Sequence, residues 1–432
     1  MKVLVISNAE WDDGNSFGST FSNILSFLPA KDIANIYCRD GMPVTNHCGR
    51  FLRLGEHDLL SYITKGIDFP EIESLQSNIE KNQQLKKNNR LKNFIKSRRW
   101  IIFFWMREFL WGLTHWKKSD SLHKFVESFG PDIILLPTYS FSYINKLALY
   151  IAETYHLPMV SYVSDDEYSL HQFSFSPLYW LNRFYQRKWI KKGIDRSDIL
   201  FVISEIQKEE YTKYFGNKCE ILTKSLDFSN ISTTSVCTFK RPIKILFVGN
   251  IGNGRWKSLL LLAKHIEKAN VQGDIFSMDV YSGTPLTTEM KKIFTYSNCE
   301  FKGFAKPADL HQIVATADIL LHVESFGYKE RLQVHQSFST KIVDYLHYRK
   351  CIMAIGPKDV ASIDFLNRNN AALLATSDEQ IEEILNTIRM YPNVVLEYQM
   401  HAWEAGRKCC DVKLMHARLR DAITNAINSF KK

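Results

Sequence analysis

Short runs that are apolar at nearly every position recur along this chain, and stretches with helical spacing lie between them. The clearest is CIMAIG, Cys351–Gly356. A strand with one wet face alternates apolar and polar residues, so an unbroken run reads as a strand covered on both faces by crossover helices. Lys2–Ser7, Ile33–Cys38, Ile133–Leu136, Met159–Val163, Ile199–Ser204 and Cys219–Leu222 read as strands in the first half. Ile243–Val248, Asp279–Ser282, Glu300–Phe301, Ile319–Val323 and Cys351–Ile355 do so in the second. Helices are expected at Gly18–Leu28, Tyr143–Tyr155, Glu205–Tyr214 and Ser258–Lys268, and Ser377-x-x-Gln380 reads as a capping box opening another. Alternation of this kind predicts an α/β protein with parallel sheets.

The 432 residues exceed what one hydrophobic core usually supports. The Ser- and Thr-rich stretch Ser229–Arg241 interrupts the pattern, and the chain then restarts with a strand as apolar as its first. The expected division is a domain over 1–235, a second over 236–405, and a helical end, 406–432, packing back on the first. The eight cysteines contain no Cys-x-x-Cys pair and read as reduced packing residues of a cytoplasmic protein. The start, MKVLVISNAEWDD, reaches acids after a very short apolar run and reads as a first strand instead of a signal peptide. No run approaches the ~18 apolar residues of a bilayer span. The net charge of +9 favours polyanionic partners: nucleotides, anionic headgroups or nucleic acid.

Two stretches of the second half have the character of anion sites. Gly249–Lys257, GNIGNGRWK, is a glycine-rich turn between a strand and a helix; its backbone can approach a phosphate, and Arg255 and Lys257 can neutralise it. Ser339 and Thr340 stand where another helix begins, with Lys341 beside them, and a helix start offers unpaired N–H groups and the positive end of a dipole. Asp344 lies four residues after Thr340, one too far for a capping box, which leaves it for a hydroxyl-rich group. A nucleoside diphosphate satisfies both. In the first half, Gly14 and Gly18 follow the first strand at the sheet edge where α/β proteins bind ligands, a structural turn being the commoner reason for either. Ser164-Asp165-Asp166-Glu167 ends another strand; three acids there can bind a cation, while a solvated turn or a hydroxyl site is the commoner outcome.

Between Lys81 and Arg107 there are nine Lys or Arg and no acid, and the segment runs into Trp100, Phe103, Phe104 and Trp105. Cations beside large rings suit an interfacial helix, with Lys86, Lys87, Arg98, Arg99, Trp100, Phe104 and Trp105 as the membrane contacts. A solvated basic helix whose aromatics pack on their own domain is the competing reading. Nucleic-acid binding is a third, without an accompanying reader motif.

VGNIGNGRW, the loop Glu324-Ser325-Phe326-Gly327 and STKIVDYL followed by a basic turn and a strand resemble the donor-binding half of family-four glycosyltransferases, above all bacterial enzymes of capsular and other surface polysaccharides. NSFGSTFSNILS, SDDEYSLHQFSFSPLYWLNRFY and VISEIQKEEY in the first half are similar to the same family. The resemblance implies two Rossmann-like domains facing across a cleft, the GT-B architecture. It also implies retaining transfer of a sugar from a nucleotide sugar to a hydroxyl of a glycan or lipid-linked glycan, without metal or other cofactor. By the same resemblance Asn250 and Arg255 take the positions of the two cations on the donor diphosphate, Gly18 the glycine turn facing it, Glu324 the carboxylate against the sugar and Asp344 that on the ribose. The chain departs from the pattern in three places: Asn250 carries no charge, Tyr328–Phe338 is an insertion between the two acids, and Asp165 or Asp166 stands where a histidine is usual. Those departures keep open a non-catalytic protein with a degenerate donor site. An epimerase of the same architecture would need acids and a histidine poised at a sugar carbon.

Overall fold

A computed structural model describes residues 1–74, 101–229 and 241–430; the expected boundary at 229–241 lies almost wholly outside them. The first lobe is an eight-stranded sheet of β1 (Val3–Ser7), β2 (Ile33–Tyr37), β3 (Arg50–Arg53), β4 (Glu71–Ile72), β5 (Ile133–Pro137), β6 (Met159–Val163), β7 (Ile199–Val202) and β8 (Cys219–Ile221). Its order is β4-β3-β2-β1-β5-β6-β7-β8, parallel except for the edge pair β3/β4. The second lobe holds β9 (Ile243–Val248), β10 (Phe276–Tyr281), β11 (Cys299–Gly303), β12 (Ile319–Val323), β13 (Cys351–Ile355) and β14 (Leu373–Ala375), in the order β11-β10-β9-β12-β13-β14. That is the doubly wound Rossmann order, whose direction reverses between β9 and β12. β1, β5, β6, β12 and β13 are buried at every position, in keeping with their largely apolar runs.

The helices that position the site are α1 (Ser16–Ile24), α2 (Ile101–Leu113), α3 (Ser142–Thr154), α4 (Pro177–Arg196), α5 (Glu205–Phe215), α6 (Arg255–Ala269), α7 (Tyr328–Val334), α8 (Thr340–His347), α9 (Val394–Cys409) and α10 (Val412–Phe430). α1 begins two residues before the expected Gly18, because the Asn15 side chain caps it by accepting from Gly18 N (2.7 Å), and it ends at Ile24 instead of Leu28. α6 begins at Arg255, three residues before the expected Ser258: Gly254, at φ 75°, turns the chain directly into the helix. The Ser377 box is half made, since Ser377 Oγ accepts from Gln380 N whereas Gln380 Oε1 accepts from Thr376. β3, β4 and β14 were not expected: β3 and β4 carry no long apolar run, and that of β14, AALLA, is alanine-rich.

The chain passes between the lobes twice. The two passes lie side by side, with Leu226 N donating to Cys410 O (3.0 Å) and Val412 N to Leu226 O (2.9 Å). α10 then packs against α1 and β6 of the first lobe. One apolar cluster runs from Phe21 and Tyr162 through Phe228, Leu419 and Ile423 to Ile342 and Leu346, so the lobes share a core below their cleft.

Candidate functional site

Arg255, as the first helical residue of α6, reaches the C-terminal end of β12 and grips Glu324 with two bonds, Nε to Oε2 (3.0 Å) and Nη2 to Oε1 (3.1 Å). Glu324 is 3% exposed, and its carbonyl accepts from Ser258 Oγ (2.7 Å). His322, two residues earlier on β12, places Nε2 3.5 Å from Glu324 Oε1. Burial works to raise the Glu324 pKa, but the bonds and charges of His322 and Arg255 outweigh it and hold the carboxyl below its usual range. The two residues expected on different parts of a donor thus neutralise each other at the topological switch point of the sheet.

Beside them a pocket of 550 Å³ opens over the ends of β9 and β10, lined by Val248, Gly249, Asn250, Tyr281, Thr284 and Lys341. Lys341, from the first turn of α8, lies 3.4 Å from Val248 O. Removal from water and then the charge of Arg255 lower its pKa. Asn250 lines the pocket, and its Oδ1 accepts from Gly252 N (2.6 Å) and Thr284 Oγ1 (3.0 Å), which braces the turn. Lys257 is exposed beside the Trp256 ring, 5.8 Å from its centroid. Ser339 is the N-cap of α8 but makes no side-chain cap, and its own N–H goes to Ser362 Oγ (3.0 Å), so it does not offer that N–H to an anion. Thr340 is exposed at the helix start. Asp344 is paired with Lys224, which comes from the first lobe's side of the crossing (Nζ to Oδ1, 2.6 Å). Its carboxylate is therefore already engaged, contrary to the reading from capping geometry that left it free.

In the first lobe the three acids after β6 diverge. Asp165 accepts from Ser337 Oγ of the second lobe (2.8 Å). Asp166 is held by Arg183 (3.2 Å), Gln172 (2.7 Å) and Ser169 and fixes its own loop. Glu167 bonds Ser140, and burial, reinforced by Asp165, pushes its pKa up to about 7. They form no cation cage; among the described residues no group of three potential ligands does so. Gly18 lies against its own loop: a Cβ there would sit 2.1 Å from Asp12 O, so the turn requires a glycine.

The insertion expected to disturb the sugar contacts crosses the cleft. α7 is tied to its own lobe by Arg331 and Asp359 (2.8 Å). Its exit reaches the other lobe, with His335 Nε2 on Glu210 Oε1 (2.7 Å) and Ser204 Oγ donating to Gln336 O (3.0 Å). The Glu210 hydrogen bond raises the His335 pKa. Neither this strap nor His322 nor Lys224 was read from the sequence; the strap and Lys224 depend on pairs far apart in the chain, His322 stands inside an apolar strand two residues from Glu324, and only the insertion at Tyr328–Phe338 pointed to one of them.

Lys86, Lys87, Arg98, Arg99 and Trp100 lie outside the described residues. Phe104 and Trp105 do not face solvent fully: Phe104 stacks on Phe141 (5.6 Å between centroids) and Trp105 packs on Tyr185 (5.2 Å). On these two residues the aromatics pack on their own domain. Among the described residues no helix is long and apolar enough to cross a membrane.

No family model matches the chain, and no curated protein matches it. Solved structures do. HepE (Alr3699) of Anabaena, in complex with UDP and glucose, is 12% identical with a TM-score of 0.60, covering 98% of this chain and all (100%) of that one. Sucrose-phosphate synthase of Thermosynechococcus elongatus is 9% identical, TM-score 0.58, covering 99% and 100%. A glycosyltransferase of Rickettsia africae is 11% identical, TM-score 0.56, covering 99% of each chain. At such identities the likeness speaks for architecture, and over nearly the whole chain that architecture is the two-domain GT-B fold.

Proposed function

We propose that the protein is a glycosyltransferase that moves a sugar from a UDP-sugar to a hydroxyl of a glycan, with retention at the anomeric carbon. The observation that carries this is the convergence of Arg255 and Lys341 beside an open pocket at the end of β9, with Glu324 at the switch point. Uridine is favoured as the base because HepE, of the same fold, is seen with UDP and with UDP-glucose. As the bond from the sugar to the diphosphate breaks, negative charge grows on the leaving phosphate and the sugar becomes oxocarbenium-like; fixed cations at the phosphate lower that barrier most. Lys341 supplies one, and Arg255 a second when a phosphate draws it from Glu324. Release of Arg255 frees Glu324 to face the sugar. The leaving phosphate takes the acceptor hydroxyl's proton as the new bond forms on the same face. Asp344 turns from Lys224 to the ribose, and Asp165 or Asp166 borders the acceptor. No cofactor is required.

The acceptor is read as lipid-linked and the role as surface-polysaccharide or capsule synthesis, by peripheral attachment at the inner face of the cell membrane; the sequence resemblance and the basic run before α2 support this. A second reading, a binding protein with a degenerate donor site, is favoured by one observation: the bidentate Arg255–Glu324 pair leaves neither charge free. Calorimetry with UDP, GDP and ADP separates the two. Selective UDP binding that falls about tenfold or more in both Lys341→Ala and Asp344→Ala supports the transferase; no binding of any nucleotide by a folded sample sinks it.

A further inference from the structure

A second cavity lies away from the donor site. A groove of 870 Å³ lies on the first lobe between the end of α2, α3 and α4, and none of its lining residues belongs to the pocket at β9. It follows α3 from Tyr143 to Glu153, a length of about 15 Å at 1.5 Å per residue. Its walls are aromatic, with Trp111, Trp116, Tyr150 and Trp189. Its charge is one-sided. Lys117, Lys118, Lys146, Lys192 and Arg196 line it against two carboxylates, Glu153 and Asp195, and Asp195 is paired with Lys191, which does not line the groove (2.7 Å).

Several of these cations are held over rings. Lys117 Nζ sits 5.1 Å from the Tyr150 centroid and 5.6 Å from that of Trp116, and both Lys146 and Lys192 sit 4.8 Å from Trp189. A ring face attracts a cation without cancelling its charge, so the groove keeps a field that favours an anion.

The surface leading away from the groove is apolar. Along α2, Met106, Phe109 and Leu113 recur at helical spacing and are exposed, Phe109 by 67%. Leu113 lies between Gly112 and Thr114, which line the groove. Along α4, Leu178, Leu181 and Phe184 are exposed on the turns before Trp189 and Lys192. The two helices meet where Trp105 packs on Tyr185. A cationic, ring-walled groove at the end of a double apolar stripe is matched by a ligand with an anionic head and a hydrocarbon body, and a soluble anion leaves the stripe unexplained.

We infer that this face seats anionic phospholipid: the headgroup phosphate occupies the groove at Lys117 and Lys192, and Met106, Phe109, Leu113, Leu178 and Leu181 enter the acyl boundary. The inference deepens the peripheral attachment proposed above and rests on that reading only for the presence of a bilayer. It places the contact on α2 and α4 surfaces other than those of Phe104 and Trp105, which pack inward.

The test is co-sedimentation of the full chain with vesicles of phosphatidylcholine alone and with added phosphatidylglycerol, for the wild type, Lys117→Glu/Lys192→Glu and Phe109→Ser/Leu113→Ser. UDP calorimetry and gel filtration are run on the same samples. Binding that requires phosphatidylglycerol and falls about tenfold or more in both variants, with UDP affinity unchanged, is the expected result. Equal binding of all three proteins to anionic vesicles overturns the inference, as does wild-type binding that ignores phosphatidylglycerol. Concentration-dependent self-association abolished by Phe109→Ser/Leu113→Ser, with vesicle binding intact, also overturns it and assigns the stripe to a second copy. Loss of UDP binding in every sample leaves the vesicle result standing and removes the transferase reading alone.

Discussion

The molecule builds the same strand, turn and helix twice, once after β1 and once after β9; the first turn is packed on itself, and a pocket opens at the second. After β1 the turn folds in on itself. Trp11 is fully buried, its indole donates to Ser22 Oγ (2.8 Å), and the Asp12 backbone fills the space beside Gly18. After β9 the turn stays open: Asn250 braces it, with Oδ1 accepting from Gly252 N and Thr284 Oγ1, and the turn, Thr284 and Lys341 together line the pocket. A doubly wound sheet therefore offers a crevice at each switch point, and what fills that crevice is decided by the turn residues.

Glycine substitutions break this comparison most sharply. Gly18→Ala drives a methyl into Asp12 backbone that has nowhere to go, and a loss of about 3 kcal/mol or more in denaturant unfolding is expected. At Gly249 the nearest atom to an added Cβ is Lys341 Nζ, at 2.6 Å, the free end of a flexible side chain. Gly249→Ala is expected to change stability little and to weaken UDP binding about tenfold, or ~1.4 kcal/mol, by displacing the ammonium. Equal stability losses at the two positions would mean that the turns do not differ as described.

Between these extremes lies Arg255→Ala, which leaves the buried Glu324 with His322 alone. A loss on the order of 3 kcal/mol is expected in unfolding, and the double change Arg255→Ala/Glu324→Gln should recover much of it. Because the Glu324 pKa is depressed in the folded protein, the stability it contributes is present above the unfolded value of ~4.3 and fades as pH falls through the folded one.

The smallest effect concerns the strap. The His335 pKa is raised by Glu210, so this link between the lobes is complete below the unfolded value of ~6.5 and is lost as pH rises through the folded one. Small-angle scattering should show a slightly wider cleft at the higher pH in the wild type, and none of that change in His335→Gln.

How much of this the amino acids disclose depends on the range of the interaction. β1, β5, β6, β9, β12 and β13 were readable because a strand covered on both faces is apolar at nearly every position, a local property. β3, four residues bounded by arginines (RFLR), is too short to carry that signal, and β14 lies in a run, AALLA, that is alanine-rich instead of β-branched. Lys341 and Arg255 could be named because helix starts and glycine turns have local signatures. That Arg255 binds Glu324, 69 positions away, and Asp344 binds Lys224, 120 away, is a fact of tertiary packing, so both were first assigned to a ligand. Phe104 and Trp105 illustrate the same point, since composition marks them as aromatic beside basic and only their neighbours show which way they turn.

The two crossings of the chain, bonded to each other at Leu226 and Cys410–Val412, have a mechanical meaning. Two parallel tethers clipped at one place act as a pin: the second lobe can swing about that line but resists sliding along it or twisting across it. The strap at His335 is made of other residues, so its release leaves the pin in place. Substrate entry in such a body is the turning of a door, with the latch and the pin made of separate residues that can be altered one at a time.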